Sequence, residues 1–320
     1  MKAIVNETYG SPDVLQLKEI DKPTPTDDQI LIKIHAVSIN GSDKEGLLGK
    51  PFYARINGLL KPRNQILGSD IAGVVEAVGK NITEFELGDE IFGEIPNYHG
   101  GFAEYVCTSG NTMAHKPTTL TFEEAAAIPQ AGTITWQGIL VQGQVKAGQK
   151  VLINGAGGSG GSFAIQLAKL YGAEVTGVDN AHKSEFMRSL GADHVIDYAQ
   201  EDFTKTGKQY DLIFDLIGTR PPSAYPRALL PDGTYLCVGG STRLIVKLLL
   251  NNKRLKRKTG KNIQLLAVPQ NKEDLLAFTE LCVSGKINPA IDKRFTLEEV
   301  PDAFRYILAG HAKGKIVINL

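Results

Sequence analysis

Five glycines lie within seven residues, from Gly155 to Gly161, directly after the apolar segment KVLIN. Gly155, Gly157 and Gly160 have the spacing GxGxxG, and Gly161 is a second candidate for the last position. A glycine-rich turn of this kind lets backbone N–H groups approach a pyrophosphate, and the positive end of the following helix favours its charge. Because the motif follows a strand and opens a helix, it predicts a dinucleotide-binding turn rather than a plain connection. The predicted cofactor contacts in the turn are Gly155, Gly157, Gly158, Ser159, Gly160 and Gly161.

The residues after the next strand bear on which dinucleotide binds. Asp179 lies 19 residues after Gly160, where an acid would bind both hydroxyls of the adenosine ribose and favour NAD. His182 and Lys183 follow at once and could instead pair with a 2′-phosphate, whereas Asn180 fits either cofactor. The sequence therefore leaves NAD(H) and NADP(H) open.

Strands and helices alternate from Lys150 onward. KVLING, AEVTGVD, HVIDY, YDLIFDLIG, GTYLCVGG and IQLLAV have strand patterns, with helical patterns GGSFAIQLAKLYG and KSEFMRSLG between the first three. This alternation predicts an α/β domain with a doubly wound parallel sheet, whose ligands bind outside the carboxyl ends of the strands. Cys237 ends one strand and is expected to be a small buried residue. Residues at the later strand ends are therefore assigned to the cofactor pocket: Tyr198, Leu216, Gly218, Val238, Gly239 and Gly240.

The first 110 residues have a different character. Segments such as ILIKIHAVSI and IAGVVEAVG alternate in β-branched residues, and turn signals recur between them, which predicts an irregular β domain. Thr121 and Glu124 form a capping-box pattern that starts a helix. The last 50 residues or so return to mixed character, with two helical patterns and a final strand, KIVINL.

The net charge, the cysteines and the apolar runs of the chain indicate which partners and which cellular compartment to expect. The 320-residue chain has a formal net charge of zero, which gives no whole-chain reason to expect nucleic acid as a partner. Its three cysteines lie far apart and show no C-x-x-C spacing, as is typical of a reducing compartment. The N-terminus has no signal-peptide core, and no apolar run approaches the roughly 18 residues of a membrane-spanning helix. We expect a cytoplasmic protein.

Seven segments, in order along nearly the whole chain, resemble one family. LGSDIAGVVEAVG, LGDEIFGE, GGFAEYV, EEAAAIP, VLINGAGGSGG, LGADHVIDY and GKIVIN are similar to the medium-chain dehydrogenase/reductase superfamily, and most of all to its zinc-independent quinone oxidoreductase-like branch. The resemblance implies a GroES-like β domain from residues 1–122 and 268–320, and a Rossmann domain from residues 123–267. The branch usually has Gly-Gly-Val-Gly in the phosphate turn, where this chain has Gly158, Ser159, Gly160 and Gly161.

The resemblance extends to zinc-dependent alcohol dehydrogenases, so a metal must be considered. Those enzymes have a cysteine ligand at the position of Asn40 and a His–Glu pair at the position of Ser69 and Asp70. Asn and Ser do not replace a thiolate and an imidazole as zinc ligands. Residues 88–105 lack the four-cysteine structural lobe, and the six histidines show no metal spacing. We therefore expect no metal site and no zinc.

Without zinc, hydride transfer needs an acceptor that is already electrophilic, such as a quinone or an α,β-unsaturated carbonyl compound. A hydrogen-bond donor then suffices to hold the developing oxyanion. By resemblance, Asn40 and Asp43 match the polar pair that lines the active site, although NGSD could equally be a turn capped by these side chains. Tyr53 could donate to the carbonyl oxygen, although packing is its preferred interpretation. Thr133 matches a position near the nicotinamide.

The preferred function is therefore a zinc-independent NAD(P)H-dependent oxidoreductase that transfers hydride to a quinone or enone. An alcohol dehydrogenase-like enzyme and a non-catalytic NAD(P)-binding sensor or adaptor are the alternatives.

Residues 247–261, KLLLNNKRLKRKTGK, form a basic stretch beside apolar residues. The stretch could contact an anionic membrane or nucleic acid, but a solvated loop before the strand IQLLAV is the preferred interpretation. By resemblance, that strand pairs across a dimer interface, so we expect a homodimer.

Overall fold

A computed structural model describes residues 1–56, 58–96 and 99–320, except for the side chains of residues 251–255. The strands are β1 Lys2–Asn6, β2 Leu15–Glu19, β3 Ile30–Ile39, β4 Asp70–Val78, β5 Glu90–Glu94, β6 Tyr105–Thr108, β7 Met113–His115, β8 Lys150–Asn154, β9 Glu174–Asp179, β10 His194–Asp197, β11 Tyr210–Asp215, β12 Leu229–Cys237, β13 Asn262–Leu265, β14 Ile291–Thr296 and β15 Lys315–Asn319. The helices are α1 Gly41–Leu48, α2 Phe122–Ala127, α3 Pro129–Trp136, α4 Ser159–Leu170, α5 Ser184–Ser189, α6 Thr242–Thr259, α7 Lys272–Val283 and α8 Val300–Leu308.

The chain divides into two compact units. The first comprises residues 1–133, 270–285 and 291–320, and the second comprises residues 134–269 and 286–290. The first unit thus extends further than the boundary at residue 122 that the sequence suggested. The reason is α2, which packs on β3 and β4 and so belongs with the first unit. Its capping box is formed as predicted, because the Thr121 hydroxyl accepts from the Glu124 N–H and the Glu124 carboxylate accepts from the Thr121 N–H.

The first unit is built on a largely antiparallel sheet with the order β14-β15-β3-β4-β5-β7, in which β6 also pairs with β3. Strands from both ends of the chain therefore share one sheet, as a GroES-like domain requires. The alternation in β3 points Ile30, Ile32 and Ile34 into the core, where each is at most 2% exposed. The predicted β domain is confirmed.

The second unit is built on a six-stranded sheet with the order β10-β9-β8-β11-β12-β13. All its strand pairs are parallel. The strand order reverses between β8 and β11, and this switch point is where a doubly wound sheet binds its ligand. The predicted Rossmann-like fold is confirmed.

The basic stretch is mostly helical, so its preferred interpretation as a loop was wrong. Ser241 caps α6, since its hydroxyl accepts from the Leu244 N–H at 3.2 Å, and Gly260 ends the helix with a left-handed φ of 71°. Leu244 and Leu248, four residues apart, are buried on the sheet and fix the helix there. The Lys, Arg and Leu residues of this segment are also good helix formers. The side chains of Lys253 and Arg254 lie outside the described residues.

In the part of the chain that the structure describes, no helix is both long enough and apolar enough to cross a membrane.

The glycine turn connects β8 to α4. Gly155 has a left-handed φ of 85°. A Cβ on Gly161 would lie 2.2 Å from the Gly155 carbonyl oxygen and 2.5 Å from the Ala156 Cα, whereas a Cβ on Gly160 would meet only the Leu216 side chain, at 3.3 Å. Gly161, the second candidate from the sequence, is therefore the glycine that lets α4 approach β8 closely.

We predict that Gly161→Ala destabilises the protein by about 1–3 kcal/mol, because the new methyl group meets backbone atoms that cannot move aside. Gly160→Ala is the matched control, since its methyl group meets only a flexible leucine and alanine has the higher helix propensity. Thermal unfolding of both variants without cofactor measures the difference. Equal melting temperatures would contradict this assignment of the close approach to Gly161.

Candidate functional site

Strand register gathers polar residues at one place in the first unit. Ser38 on β3 pairs with Asp70 on β4, and Asp70 pairs with Glu94 on β5. On the other side of β3, Ile316 pairs with Ile39, which brings Lys315 opposite Asn40 at the end of β3. We call the resulting group the polar cluster; its members are Asn40, Asp43, Ser69, Asp70, Glu94, Gln130 and Lys315.

Lys315 fixes the orientation of the Asn40 amide. Its ammonium group is fully buried and donates to Asn40 Oδ1 at 2.7 Å, with Asp70 Oδ2 at 3.5 Å. Because an ammonium group only donates, the atom facing it must be the amide oxygen. The amide nitrogen of Asn40 therefore faces away from Lys315, and its contact with Ser69 Oγ is long, at 3.5 Å. A hydrogen bond from the Asn40 side chain also lowers the pKa of Asp70, so the amide nitrogen is oriented as a donor with Ser69 and Asp70 as its neighbours.

Asp43 fixes the backbone that carries Asn40. It is 1% exposed; its Oδ2 accepts from the Asn40 N–H at 2.7 Å and its Oδ1 accepts from the Gly68 N–H at 2.9 Å. Burial raises the pKa of Asp43 to about 7 in spite of these two bonds. The structure thus brings the two predicted residues together, with Asp43 in the capping role that the sequence left open.

Gln130, on α3, joins the two carboxyl groups that face each other across β4 and β5. Its backbone N–H donates to Asp70 Oδ2 at 3.1 Å, and its Nε2 donates to Glu94 Oε1 at 2.6 Å. Burial, followed by the nearby charge of Asp70, raises the pKa of Glu94 to about 8. Burial also raises the pKa of Asp70 and lowers that of Lys315, and each of these two charges offsets part of the effect on the other. With three carboxyl groups around one ammonium group, the polar cluster retains protons at neutral pH.

Thr133 and Tyr53 have hydrogen bonds within the first unit. The buried Thr133 hydroxyl donates to the Pro129 carbonyl at 2.9 Å, one turn earlier in α3. The Tyr53 hydroxyl donates to the carboxylate of Glu45 on α1, at 2.9 Å.

In the second unit, the start of α4 fits a pyrophosphate. The residue before α4 is Gly158, which has no side chain to occupy the orphan N–H groups of the helix. A Cβ on Gly158 would meet only the Gly155 carbonyl oxygen, at 3.4 Å, so the approach to these groups is open. Gly158, Ser159 and Gly160 are therefore the residues that would hold the phosphates of a dinucleotide.

Asp179 and Lys183, which the sequence set in competition, form an ion pair. Asp179 Oδ1 lies 3.4 Å from Lys183 Nζ, and each residue is only 8% exposed. Asp179 Oδ2 also accepts from the Gly157 N–H at 2.9 Å, and the Lys183 side chain covers Gly157, so that a Cβ there would lie 2.5 Å from Lys183 Cδ. The Asn180 N–H donates to Asp179 Oδ1 at 2.8 Å, and His182 is exposed. The turn therefore carries both an acid and an ammonium group where the adenosine ribose would bind.

The other predicted cofactor contacts lie at the carboxyl edge of the parallel sheet. Tyr198 follows β10 and is 55% exposed, Leu216 follows β11 beside the glycine turn, and Gly218 forms a bridge with Gly240. Val238 and Gly239 follow β12, where burial raises the pKa of the Cys237 thiol to about 12. Cys237 is thus buried, as expected.

Sequence reasoning missed Asp215, which ties together three strand ends at this edge. The fully buried carboxylate accepts from Asn154 Nδ2 at 2.7 Å, the Ile217 N–H at 3.0 Å, and the hydroxyls of Tyr225 and Tyr235 at 3.0 and 2.9 Å. An acid inside the apolar run FDLIG was the available signal. Lys315, before the apolar run IVIN, was the corresponding signal for the polar cluster.

The polar cluster does not fit a zinc ion. Asn40 and Ser69 occupy the positions of two zinc ligands in the related zinc enzymes, and the Asn40 oxygen already accepts from the Lys315 ammonium group, whose charge would repel a dication. Across residues 1–56, 58–96 and 99–320, no group of three or more His, Cys, Asp or Glu side chains is arranged to hold a metal ion.

The polar cluster predicts a pH dependence of stability. The pKa of Glu94 is about 8 in the folded protein and 4.5 ordinarily, so its contribution is present below the lower value and is lost as pH rises through the higher one. Glu94→Gln keeps an acceptor for Gln130 but removes this titration. We expect the melting temperature of the variant to fall less than that of the wild type between about pH 6 and about pH 9.

Asp43, with its pKa of about 7, has the same sign and leaves a residual slope. Asp70 and Lys315 interact with the Glu94 charge, so the difference between the two proteins reports the loss of Glu94 together with its effect on these two groups. Parallel melting curves for wild type and Glu94→Gln over this pH range would show that Glu94 is already ionised in the folded state.

Comparison with known proteins identifies the family. Residues 26–118 match the alcohol dehydrogenase GroES-like domain, and residues 190–318 match the zinc-binding dehydrogenase family. The 2-methylene-furan-3-one reductase of Solanum lycopersicum is 34% identical over 100% of this chain and 79% of its own length. The NADPH-dependent alkenal/one oxidoreductase of Arabidopsis thaliana, a chloroplastic protein, is 34% identical over 99% of this chain and 79% of its own.

A solved structure agrees with these relatives. The quinone oxidoreductase from Coxiella burnetii has a TM-score of 0.90 and 31% identity, with 100% of this chain and 99% of that chain covered. The chain therefore belongs to the medium-chain dehydrogenase/reductase superfamily, among its quinone and enone oxidoreductases.

Proposed function

We propose that this protein is an NAD(P)H-dependent reductase that transfers a hydride to a quinone or to an α,β-unsaturated ketone or aldehyde. The observation that carries the proposal is the orientation of Asn40, whose amide oxygen is held by Lys315 and whose amide nitrogen remains a donor. The names of the relatives, which include a quinone oxidoreductase and an alkenal/one oxidoreductase, support this substrate class.

Some residues of the chain would bind the cofactor, and others would stabilise the negative charge that develops on the substrate. The glycine turn and the first N–H groups of α4 would hold the phosphates of a nicotinamide dinucleotide, and Asp179 with Lys183 would receive its adenosine ribose. Such a cofactor would supply the hydride. When the acceptor is reduced, negative charge moves to its carbonyl oxygen, and Asn40 Nδ2 donates to that oxygen. Lys315 and Asp43 act as positioning residues, because they fix the amide and the backbone of Asn40.

We also propose that the reaction needs no zinc. An amide, a hydroxyl and a buried ammonium group replace the ligand set that a catalytic zinc requires. Quinones and enones do not need such a metal, since their conjugated carbonyl groups already accept a hydride at carbon or at the ring.

NADPH is the proposed donor. Lys183 offsets the charge of Asp179, and its ammonium group can then pair with a 2′-phosphate. The NADPH dependence stated for the Arabidopsis relative supports this choice.

We further propose a cytoplasmic homodimer. β13 pairs with β12 and forms one edge of its sheet, which a second copy could extend. The cysteines Cys107, Cys237 and Cys282 are free, as is usual in a reducing compartment.

We predict that the purified protein oxidises NADPH when a quinone or an enone is supplied, and that Asn40→Asp lowers kcat by about 10²-fold. Aspartate keeps the contact with Lys315 and the N-cap of α1 but replaces the donor with an acceptor. Absorbance of NADPH at saturating cofactor measures turnover, and thermal unfolding checks the fold.

Tyr53→Phe is the matched comparison, because the Tyr53 hydroxyl is the other candidate donor and is bound to Glu45. Unchanged turnover in Asn40→Asp, with loss in Tyr53→Phe, would transfer the oxyanion role to Tyr53. No turnover in the wild type with any quinone or enone would favour the non-catalytic sensor, and turnover confined to simple alcohols would favour an alcohol dehydrogenase.

The ion pair at the glycine turn predicts opposite effects of two substitutions. Lys183→Met keeps the side-chain volume over Gly157 but removes the charge, so NADPH affinity should fall by about tenfold or more while NADH affinity changes little. Asp179→Asn leaves the Lys183 charge uncompensated and should raise the preference for NADPH. Titration of each variant with both cofactors, followed by nicotinamide fluorescence, measures this; tighter NADH binding by the wild type would contradict the choice of NADPH.

A further inference from the structure

The outer face of α6 carries exposed aliphatic side chains. Leu244 and Leu248 are 2% and 1% exposed on the inner face, where they pack on the parallel sheet. Val246, Leu249 and Leu250 are 46%, 63% and 77% exposed, and their spacing of three and four residues places them on one face of the helix. Burial on the sheet therefore accounts for only one side of this helix.

The same helix is strongly basic. Its sequence, TRLIVKLLLNNKRLKRKT, contains seven Lys and Arg residues and no acid, in a chain whose formal net charge is zero. Arg243, Lys256, Arg257 and Lys258 are exposed, and no ion pair neutralises them among the residues that the structure describes. α6 thus combines a patch of aliphatic residues near its N-terminus with a cluster of cations around and beyond it.

We propose that the outer face of α6 binds the surface of an anionic lipid bilayer, with Val246, Leu249 and Leu250 among the acyl chains and the cations at the headgroups. A helix with large aliphatic residues and Lys or Arg on its exposed side has the composition of an interfacial helix, which lies in the membrane plane. Each cation near such a surface contributes to binding, and the contribution is screened by salt.

The charge of α6 and its aliphatic side chains together favour an anionic membrane over two other partners, a second copy of the chain and nucleic acid. A symmetric contact with a second copy through the outer face of α6 itself would press the two basic helices against each other and would be repulsive. Nucleic acid would use the cations but leave the three aliphatic side chains in water. An anionic membrane satisfies both features, because its headgroups and its acyl chains lie side by side.

The position of α6 relates this surface to the proposed reaction. The helix starts at Thr242, directly after Gly239 and Gly240, at the carboxyl edge of the sheet where the cofactor would bind. Its aliphatic patch is in the first half of the helix, nearest this edge. If the proposed function holds, lipid binding brings the reductase to the phase in which hydrophobic quinones dissolve; lipid binding itself does not depend on that function.

Sedimentation of the full-length protein with vesicles tests the proposal. We expect binding to phosphatidylcholine vesicles that contain phosphatidylglycerol, and loss of binding when phosphatidylglycerol is omitted or the salt concentration is raised. The double variant Leu249→Gln with Leu250→Gln should bind at least about tenfold more weakly. Arg257→Glu with Lys258→Glu should bind more weakly by at least about fivefold for each cation removed.

Leu276→Gln is the matched control, since Leu276 is 47% exposed on α7 and should leave vesicle binding unchanged. Thermal unfolding and NADPH titration should be unchanged in all variants, which separates this surface from the cofactor site. The proposal is overturned if anionic and neutral vesicles bind equally, if neither binds, or if the two leucine substitutions convert a dimer to a monomer without affecting lipid binding. Binding of DNA or RNA without binding of vesicles would overturn it as well.

Discussion

The buried contact of Lys315 with Asn40 and Asp70 is the constraint on which the first unit depends. Moving an ammonium group and a carboxylate out of water costs several kcal/mol per ion, so the arrangement is stable only when each has its partners. Lys315 reaches these partners because β15 pairs with β3 in one register. A shift of one residue would turn Lys315 to the opposite face of the sheet and leave Asp70 without its cation. β15 is thereby locked to β3, the strand that directly precedes Asn40.

The register of the neighbouring strands also explains why carboxyl groups of the polar cluster have raised pKa values and remain partly protonated. Asp70 and Glu94 are directly opposite on neighbouring strands, a position in which two like charges repel. One ammonium group cannot balance these two carboxylates and Asp43 together. The excess of negative charge is avoided because the pKa values of Asp43 and Glu94 are near or above neutrality. These carboxyl groups therefore retain protons, and the surroundings of Asn40 carry fewer charges. The candidate donor is therefore held by a rigid and nearly neutral surrounding, which is the condition for stabilising a charge that appears during reaction.

The sequence predicted correctly those features that depend on residues close to one another in the chain. The glycine turn, the Thr121 capping box and the strands of the parallel sheet depend on residues close in sequence, and the structure has each of them. The polar cluster depends on contacts such as that of Lys315 with Asn40, which are 275 residues apart, so no sequence window could contain it. α6 was missed for another reason: its cations suggested a solvated loop, although Leu244 and Leu248 already had helical spacing and a sheet to pack on.

In each of the two units, buried aspartates accept hydrogen bonds from backbone N–H groups and so fix the loops that carry candidate site residues. Asp43 accepts from the N–H groups of Asn40 and Gly68, and Asp179 accepts from those of Gly157 and Asn180. Asp215 accepts from the Ile217 N–H and from three side chains. Each carboxyl group is buried at the end of a strand or the start of a helix, and each fixes the loop that presents a candidate site residue. A loop would otherwise lose conformational entropy whenever substrate or cofactor ordered it. Because these carboxyl groups order the loops in advance, more of the binding energy is left for the substrate and the cofactor, and the polar atoms are in place before the charge develops.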